Sequence, residues 1–302
     1  MRFDLIIPTY KPDKKFELLL KCIGRQTVQP ERIIVVNTEE CFWKKPEVWP
    51  SQMEVIHITR EEFNHGGTRR MAAEMSDAPV FVCMTQDAVP ADEHVFEELL
   101  RALEDETIGV AYARQLAGDE VGVIEKYTRR FNYPTESQIK RKEDEERLGI
   151  KTWFCSDVCA AWRKSAWLEG GGFVERTIFN EDMLMAQKLV QMGYGVTYQA
   201  NAKVVHAHRY TCKQQFQRNF DLGVSHREFQ EVFRLVSSES EGIRMVKKTL
   251  NYLLKTGRWY LVPELVAQSG AKYLGYRMGK MYDRMPLKLV LKLSATPSYF
   301  KE

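Results

Sequence analysis

Val80-Phe81-Val82-Cys83-Met84, followed at once by Thr85-Gln86-Asp87-Ala88, is the stretch on which the fold turns. Five uninterrupted apolar residues are too few for a core helix and match a strand buried on both faces. Toward the N-terminus three more such runs appear: Met53–Ile58, residues 32–36 (RIIVV), and residues 3–7, the last stopped by Pro8. Helical spacing lies between and beyond them, in residues 16–22 with Leu19, Leu20 and Ile23 on one side, in 68–75, and in 95–103. A further strand is expected at 109–113. Strands alternating with helices predict an α/β fold, a mostly parallel central sheet flanked by helices with right-handed crossovers. Asp87 then follows the carboxyl end of a parallel strand, the edge at which open α/β sheets bind ligands. A turn or helix-cap role would suit a lone aspartate there equally well.

The 302 residues are 44% hydrophobic and 28% charged, which excludes a disordered or fibrous chain. The N-terminal apolar run, Leu5 to Pro8 behind Asp4, is too short for a secretory leader, and no run approaches the roughly 18 residues of a membrane span. Six irregularly spaced cysteines predict reduced thiols, and Cys155 and Cys159 lack the second pair a zinc site needs. A cytoplasmic protein is expected. Residues 135–149 (TESQIKRKEDEERLG) carry no apolar stripe long enough for a core helix and predict a mobile surface segment, a flap or a solvated helix. The net charge of +3 is uneven: residues 242–302 hold twelve Lys/Arg against three acids. That basic piece, interleaved with Tyr252, Trp259, Tyr260, Tyr273, Tyr276 and Tyr282, fits interfacial helices on an anionic membrane, or solvated helices packed on the core. No nucleic-acid recognition motif accompanies it, so no nucleic acid partner is expected.

Three constellations carry chemistry. In residues 63–70 (FNHGGTRR), Gly66 and Gly67 let backbone approach a ligand, and the helix behind them offers free N–H groups to an anion. Arg69 or Arg70 could fork onto a diphosphate; a glycine turn with solvated arginines is the plainer reading. Neither a GxGxxG nor a P-loop sequence is present. Asn180-Glu181-Asp182 reads as an N-cap with two acids in the first turn, where the dipole keeps Asp182 ionised and able to accept a proton. His206 and His208 lie in a strand-like run over residues 202–208, whose alternation puts both imidazoles on one face. Imidazole and carboxylate together suit Mn2+ better than Mg2+ and exclude neither.

Taken in order, Pro8-Thr9-Tyr10, Asn37, Asn64 to Arg69, Gln86-Asp87, Gly171-Gly172-Phe173, Glu181-Asp182 and His206 resemble family 2 inverting glycosyltransferases of the GT-A fold. The runs FNHGGTRR, TQDA, YARQ, FNYP, FCSDVCAAW, GGF and NEDM are similar to bacterial rhamnosyltransferases that use dTDP-rhamnose, over roughly residues 3–230. The resemblance implies a Rossmann-like GT-A domain over residues 1–235, which leaves 236–302 as a basic helical extension whose charge pattern fits either a peripheral seat on the inner face of the cell membrane or packing on the core. Pro8, Thr9, Tyr10 and Asn37 would line the base and ribose pocket. Asn64, Gly66, Gly67 and Arg69 would hold the nucleotide or diphosphate, beside Gln86. Asp87 takes the metal position of the family's DXD motif, with His206 as second ligand and His208 as the lesser candidate. Asp182 would be the general base, and Trp153, Asp157 and Glu181 would face the acceptor. Two departures stand out. Gln86 and Ala88 flank a single carboxylate where the DXD motif has two, and Asp157 stands where related sequences carry a neutral amide.

The activity implied is transfer of L-rhamnose to a hydroxyl of a glycan or polyprenyl-linked saccharide for cell-surface polysaccharide. The competing readings are another dTDP- or UDP-sugar as donor, a nucleotidyltransferase on a similar sheet, and a non-catalytic scaffold or sugar-binding relative.

Overall fold

The computed structural model describes residues 1–234 and 239–301, so the boundary expected at 235/236 lies outside the described residues. Two compact units emerge. The first comprises Met1–Leu116, Tyr133–Arg176 and Glu181–His206; the second comprises Ala117–Asn132, Thr177–Asn180 and Ala207–Glu302.

The first unit is built on one sheet of β1 (Phe3–Tyr10), β2 (Ile33–Thr38), β3 (Met53–Ile58), β4 (Val80–Met84), β5 (Val89–Pro90), β6 (Ile108–Leu116), β7 (Gln138–Lys140), β8 (Cys159–Arg163) and β9 (Gly195–Val205). The order is β3-β2-β1-β4-β8-β6-β9-β5, with β7 also paired to β9. β1 to β4 are parallel, as the apolar runs predict, and β4 is buried along its whole length. β8 runs antiparallel to both β4 and β6, while β6 and β9 are parallel, so the sheet is mixed. Two reversals cancel. The carboxyl ends of β1, β2, β4, β6 and β9 therefore share one edge of the sheet, and the chain enters β8 at that same edge. The chain steps outward from β1 through β2 to β3, then returns on the other side of β1 as β4, which makes the β1/β4 boundary a topological switch point.

Of the helices, α1 (Lys14–Ile23), α2 (His65–Glu74), α3 (Val95–Ala102), α5 (Glu145–Leu148), α6 (Lys164–Glu169) and α7 (Glu181–Gln191) belong to this unit, and α4 (Val123–Asn132) to the other. α1 buries Phe16, Leu19, Leu20 and Ile23, the stripe read from the sequence, and is capped by Asp13 on the Lys15 N–H. Residues 135–149 hold a solvated helix, one of the readings expected, and more regular structure besides. They form β7, a 3-10 turn and α5, because the buried Lys140 ammonium donates to Tyr112 Oη (3.2 Å), the Lys151 carbonyl (3.0 Å) and the Phe154 carbonyl. Burial pushes that amine down to about 7. An anchor made of one lysine leaves no apolar periodicity to read.

The second unit is helical: α4 with α8 (Cys212–Glu228), α9 (Gln230–Phe233), α10 (Glu239–Lys255), α11 (Val262–Gly279) and α12 (Leu287–Leu293). Ile124, Leu253 and Leu265 form one small core; Ile178, Phe220, Val224, Val290 and Tyr299 form another. α8 and α11 cross at backbone contact distance. A Cβ at Gly275 would stand 2.2 Å from the Phe216 carbonyl oxygen, whereas a Cβ at Gly270 on the same helix meets nothing within 4 Å. Opposite signs are expected in denaturant unfolding. Gly270→Ala should stabilise the protein by up to about 1 kcal/mol through helix propensity. Gly275→Ala should destabilise it by about 1–3 kcal/mol through overpacking, and a stabilised Gly275→Ala would refute the close crossing. Among the described residues no helix is long and apolar enough to cross a membrane.

Candidate active site

At the switch point, the Gln86 amide continues the sheet beyond its strands. Its Oε1 accepts the Tyr10 N–H (2.9 Å) and its Nε2 donates to the Tyr10 carbonyl (3.1 Å), tying the end of β4 to that of β1. One register step away, buried Thr9 donates through Oγ1 to Asn37 Oδ1 (3.2 Å). Asn37 Nδ2 in turn reaches the Glu39 carbonyl (3.1 Å) and His57 Nδ1 (3.0 Å). Pro8 lies half-buried beside them in β1. The exposed Tyr10 ring meets Phe42 edge-on at 5.7 Å, with Arg60 at 5.6 Å from its centroid. This is a rimmed aromatic surface with cations at hand, suited to a base and an anionic tail.

Asp87 and His206 meet at the same edge. Asp87 Oδ1 stands 3.6 Å from His206 Nε2, beyond hydrogen-bond length and within the span of two ligands at about 2.1 Å from one cation. His206 Nδ1 lies 3.0 Å from Gln115 Oε1, and Gln115 Nε2 donates to Ser156 Oγ (3.0 Å). With Nδ1 carrying the proton toward Gln115, the Nε2 lone pair faces Asp87, the arrangement a metal-ligating imidazole requires. The donor set therefore fits a divalent ion, which Asp87 and His206 would hold and which would draw its other ligands from water or phosphate oxygens. Gln115 was missed as a site residue. It closes the YARQ run, but only the parallel register of β6 on β9, with Gln115 opposite Val204, brings it beside residue 206. His208 does not share a strand face with His206: β9 ends at Val205, and His208 belongs to the second unit, stacked on Tyr210 at 4.9 Å.

A buried charge cluster lies where β8, α2 and α7 begin. Asp182 Oδ2 accepts the Asp157 backbone N–H (3.0 Å) and Oδ1 accepts that of Met183 (2.7 Å). Burial, and after it the neighbouring Glu181 charge, push the Asp182 carboxyl up to about 7, against the pull of those two N–H bonds and of Arg69. Asp157 is 2% exposed; its Oδ1 accepts the Trp162 indole N–H (2.8 Å), and burial, then the Asp182 charge, raise it well above the carboxylate range.

Several expected ligand contacts turn out to be internal. Arg69 is 5% exposed, and its guanidinium sits on Glu181 (2.9 Å) and Asp157 (3.5 Å), turned into the protein rather than toward a diphosphate. Arg70 is likewise occupied, by Glu74 and by the carbonyls of Gly171 and Phe173. Asn64 caps α2 by accepting the Gly67 N–H (2.7 Å), which puts Gly66 and Gly67 in the first helical turn. Glycine at 67 is imposed by the chain itself, since a Cβ would stand 2.5 Å from the Glu175 carbonyl. Glu181 is buried on Arg69, and Trp153 is 1% exposed with its indole N–H on Glu145 (2.8 Å), so neither side chain is presented to an acceptor. Asn180 takes a left-handed backbone (φ 67°) and its Nδ2 donates to Ser225 Oγ (3.1 Å).

With this geometry in hand, the chain can be compared with known proteins. The model of the family "Glycosyl transferase family 2" matches residues 4–170. The O-antigen chain rhamnosyltransferase RfbN of Salmonella typhimurium is 38% identical over 99% of this chain and 96% of its own. The corresponding figures for O-antigen chain rhamnosyltransferase WbaN of Salmonella anatum are 37%, 99% and 95%. Among solved structures, the mannosyltransferase PcManGT from Pyrobaculum calidifontis, in complex with GDP-Man and Mn2+, superposes with a TM-score of 0.54 at 16% identity, covering 99% of this chain and 84% of that one. TarS 1-349 of S. aureus, in complex with UDP-GlcNAc, gives 0.51 at 14%, covering 94% and 92%. At such identities the structural likeness carries the fold alone.

Proposed function

The chain belongs to glycosyl transferase family 2 and is an inverting glycosyltransferase, and from that premise we propose dTDP-rhamnose as its donor, a glycan or polyprenyl-linked hydroxyl as its acceptor, and Asp182 as its general base. The donor reading is supported by the two rhamnosyltransferases that match nearly the whole chain. The single observation that carries the base reading is the Asp182 carboxylate, pinned by two backbone N–H groups and raised to about 7. A base of that pKa is ionised in time to act and still basic enough to take a proton near neutral pH.

The acceptor oxygen attacks the anomeric carbon from the face opposite the diphosphate and forms the new C–O bond as its proton passes to Asp182. The anomeric carbon–phosphate oxygen bond breaks in the same displacement, its electron pair leaving with the nucleoside diphosphate. One displacement through an oxocarbenium-like transition state inverts the configuration and needs no enzyme nucleophile. Thr9, Asn37 and Tyr10 orient the nucleotide, with Gln86 holding Tyr10 in position. Asp87 and His206 are the residues that would hold Mn2+ or Mg2+, which supplies positive charge against the departing diphosphate. The six cysteines are all free thiols, in keeping with a reducing compartment, and we assign the enzyme to the cytoplasm.

Calorimetry with dTDP-rhamnose, UDP-glucose and GDP-mannose, with and without Mn2+, tests the donor. Preference for another nucleotide sugar would discard rhamnose and keep the chemistry. His206→Ala should weaken Mn2+ binding, read by electron paramagnetic resonance in the presence of dTDP, by at least about tenfold. Unchanged Mn2+ affinity in that variant would remove His206 from the metal site.

A further inference from the structure

We propose that the α10–α11 pair of the second unit is a docking face for an anionic lipid surface, on which the enzyme rests without crossing it. This goes beyond the donor and base assignments and does not depend on them. α11 turns Leu265, Gly275, Tyr276 and Gly279 inward, the last three at or beside its close crossing with α8. Its opposite side carries Val266, Tyr273 and Leu274, then Arg277 and Lys280, all exposed and all within one helical face by their spacing. On α10, Thr249 and Leu253 are buried, while Ile243 and Leu254 are exposed alongside Lys247 and Lys255. Between the two helices the chain sets Trp259 and Tyr260 at 69% and 62% exposure. That is the most open aromatic pair on the described surface, and each ring meets the other only edge-on at 6.5 Å.

Charge identifies the occupant. Residues 243–280 hold eight Lys/Arg against one acid, Glu264. Two copies of such a face repel, which argues against a second copy of this chain. Nucleic acid would use the charge and leave Val266, Leu254 and Leu274 in water. An anionic bilayer uses both sets: lysine and arginine at the headgroups, aliphatic side chains at the acyl boundary, and Trp and Tyr at the level between. Among the described residues no helix is long and apolar enough to span a bilayer, and an interfacial seat requires none that is.

Flotation of the full chain tests this, with vesicles of pure phosphatidylcholine and of equal parts phosphatidylcholine and phosphatidylglycerol. Binding is expected to the mixed vesicles alone and should fall as salt rises. Lys247→Glu with Lys255→Glu should weaken it by at least about 25-fold, from about fivefold per basic residue at the surface. Trp259→Ser with Tyr260→Ser should weaken it by about tenfold, and both double variants should bind the nucleotide sugar as the parent does. No binding of the parent to mixed vesicles would overturn the proposal. So would undiminished binding by both variants, or light scattering in which these substitutions split a dimer, which would give the face to a second copy. Loss of donor binding in the parent would instead strike the donor assignment and leave this face untouched.

Discussion

Asp182→Asn is expected to lower transfer at least about 1,000-fold while leaving nucleotide-sugar affinity unchanged. The amide matches the carboxylate in size and can still accept a backbone N–H, from Asp157 or Met183, so the start of α7 keeps its geometry. It cannot take the acceptor's proton. In the parent, activity should rise with pH through about 7, as the raised Asp182 carboxyl ionises, and level off above it; in the variant that limb should vanish. Stability carries the opposite sign. A carboxyl that ionises at about 4 when unfolded and about 7 when folded favours the unfolded chain increasingly between those values, and the whole penalty is present above them. Asp182→Asn should therefore melt higher than the parent above neutral pH, a stabilising change at a catalytic position. Near-parental turnover by the variant, with inverted product, would end the assignment of Asp182 as base.

How far the sequence could be read depended on whether a signal was local. Val80–Met84 is apolar on both faces because β4 lies mid-sheet between β1 and β8, and an all-apolar run of strand length has few other meanings. The α1 stripe and the acids that open α7 are local too. β8 was harder: Cys159-Ala160-Ala161-Trp162-Arg163 has neither the β-branched bias nor the alternation of a strand, and its antiparallel course could not be inferred from alternating elements. For the site, Asp87 was legible as a candidate because a strand end is a position along the chain, whereas Thr9 and Asn37 became candidates only through the family resemblance. Arg69 was read as reaching outward because an arginine in a polar, glycine-containing run usually does. Its actual partners come from residues 157 and 181, and only the sheet order brings the start of β8 and of α7 to α2. For His206 and His208 only the shared strand face fails, since β9 stops at Val205, one residue before the first of them.

Arg69→Met is the substitution expected to cost the most stability, about 3–5 kcal/mol in denaturant unfolding. Three carboxyl groups, those of Asp157, Glu181 and Asp182, gather around one guanidinium, with His65 Nδ1 a further 3.8 Å from Glu181. Removing the cation strands buried negative charge, which the protein can relieve only by taking up protons or unfolding. The uptake has a readout that a merely structural arginine would not move. Arg69 holds Asp182 down, so in Arg69→Met the pH–activity limb should shift to higher pH, with kcat/KM most depressed at the acid end. Asp157→Asn is the contrasting case. Its carboxyl is already pushed up by burial and the Asp182 charge, the amide oxygen can accept the Trp162 indole N–H, and the bond to Asp182 comes from the backbone. An amide there replaces a carboxyl that burial and the Asp182 charge already hold protonated, so Asp157→Asn should keep the fold and leave the activity limb close to that of the parent. Equal loss of stability in both variants would mean that packing volume around Trp162, and not the balance of one cation among three acids, holds this part of the site together.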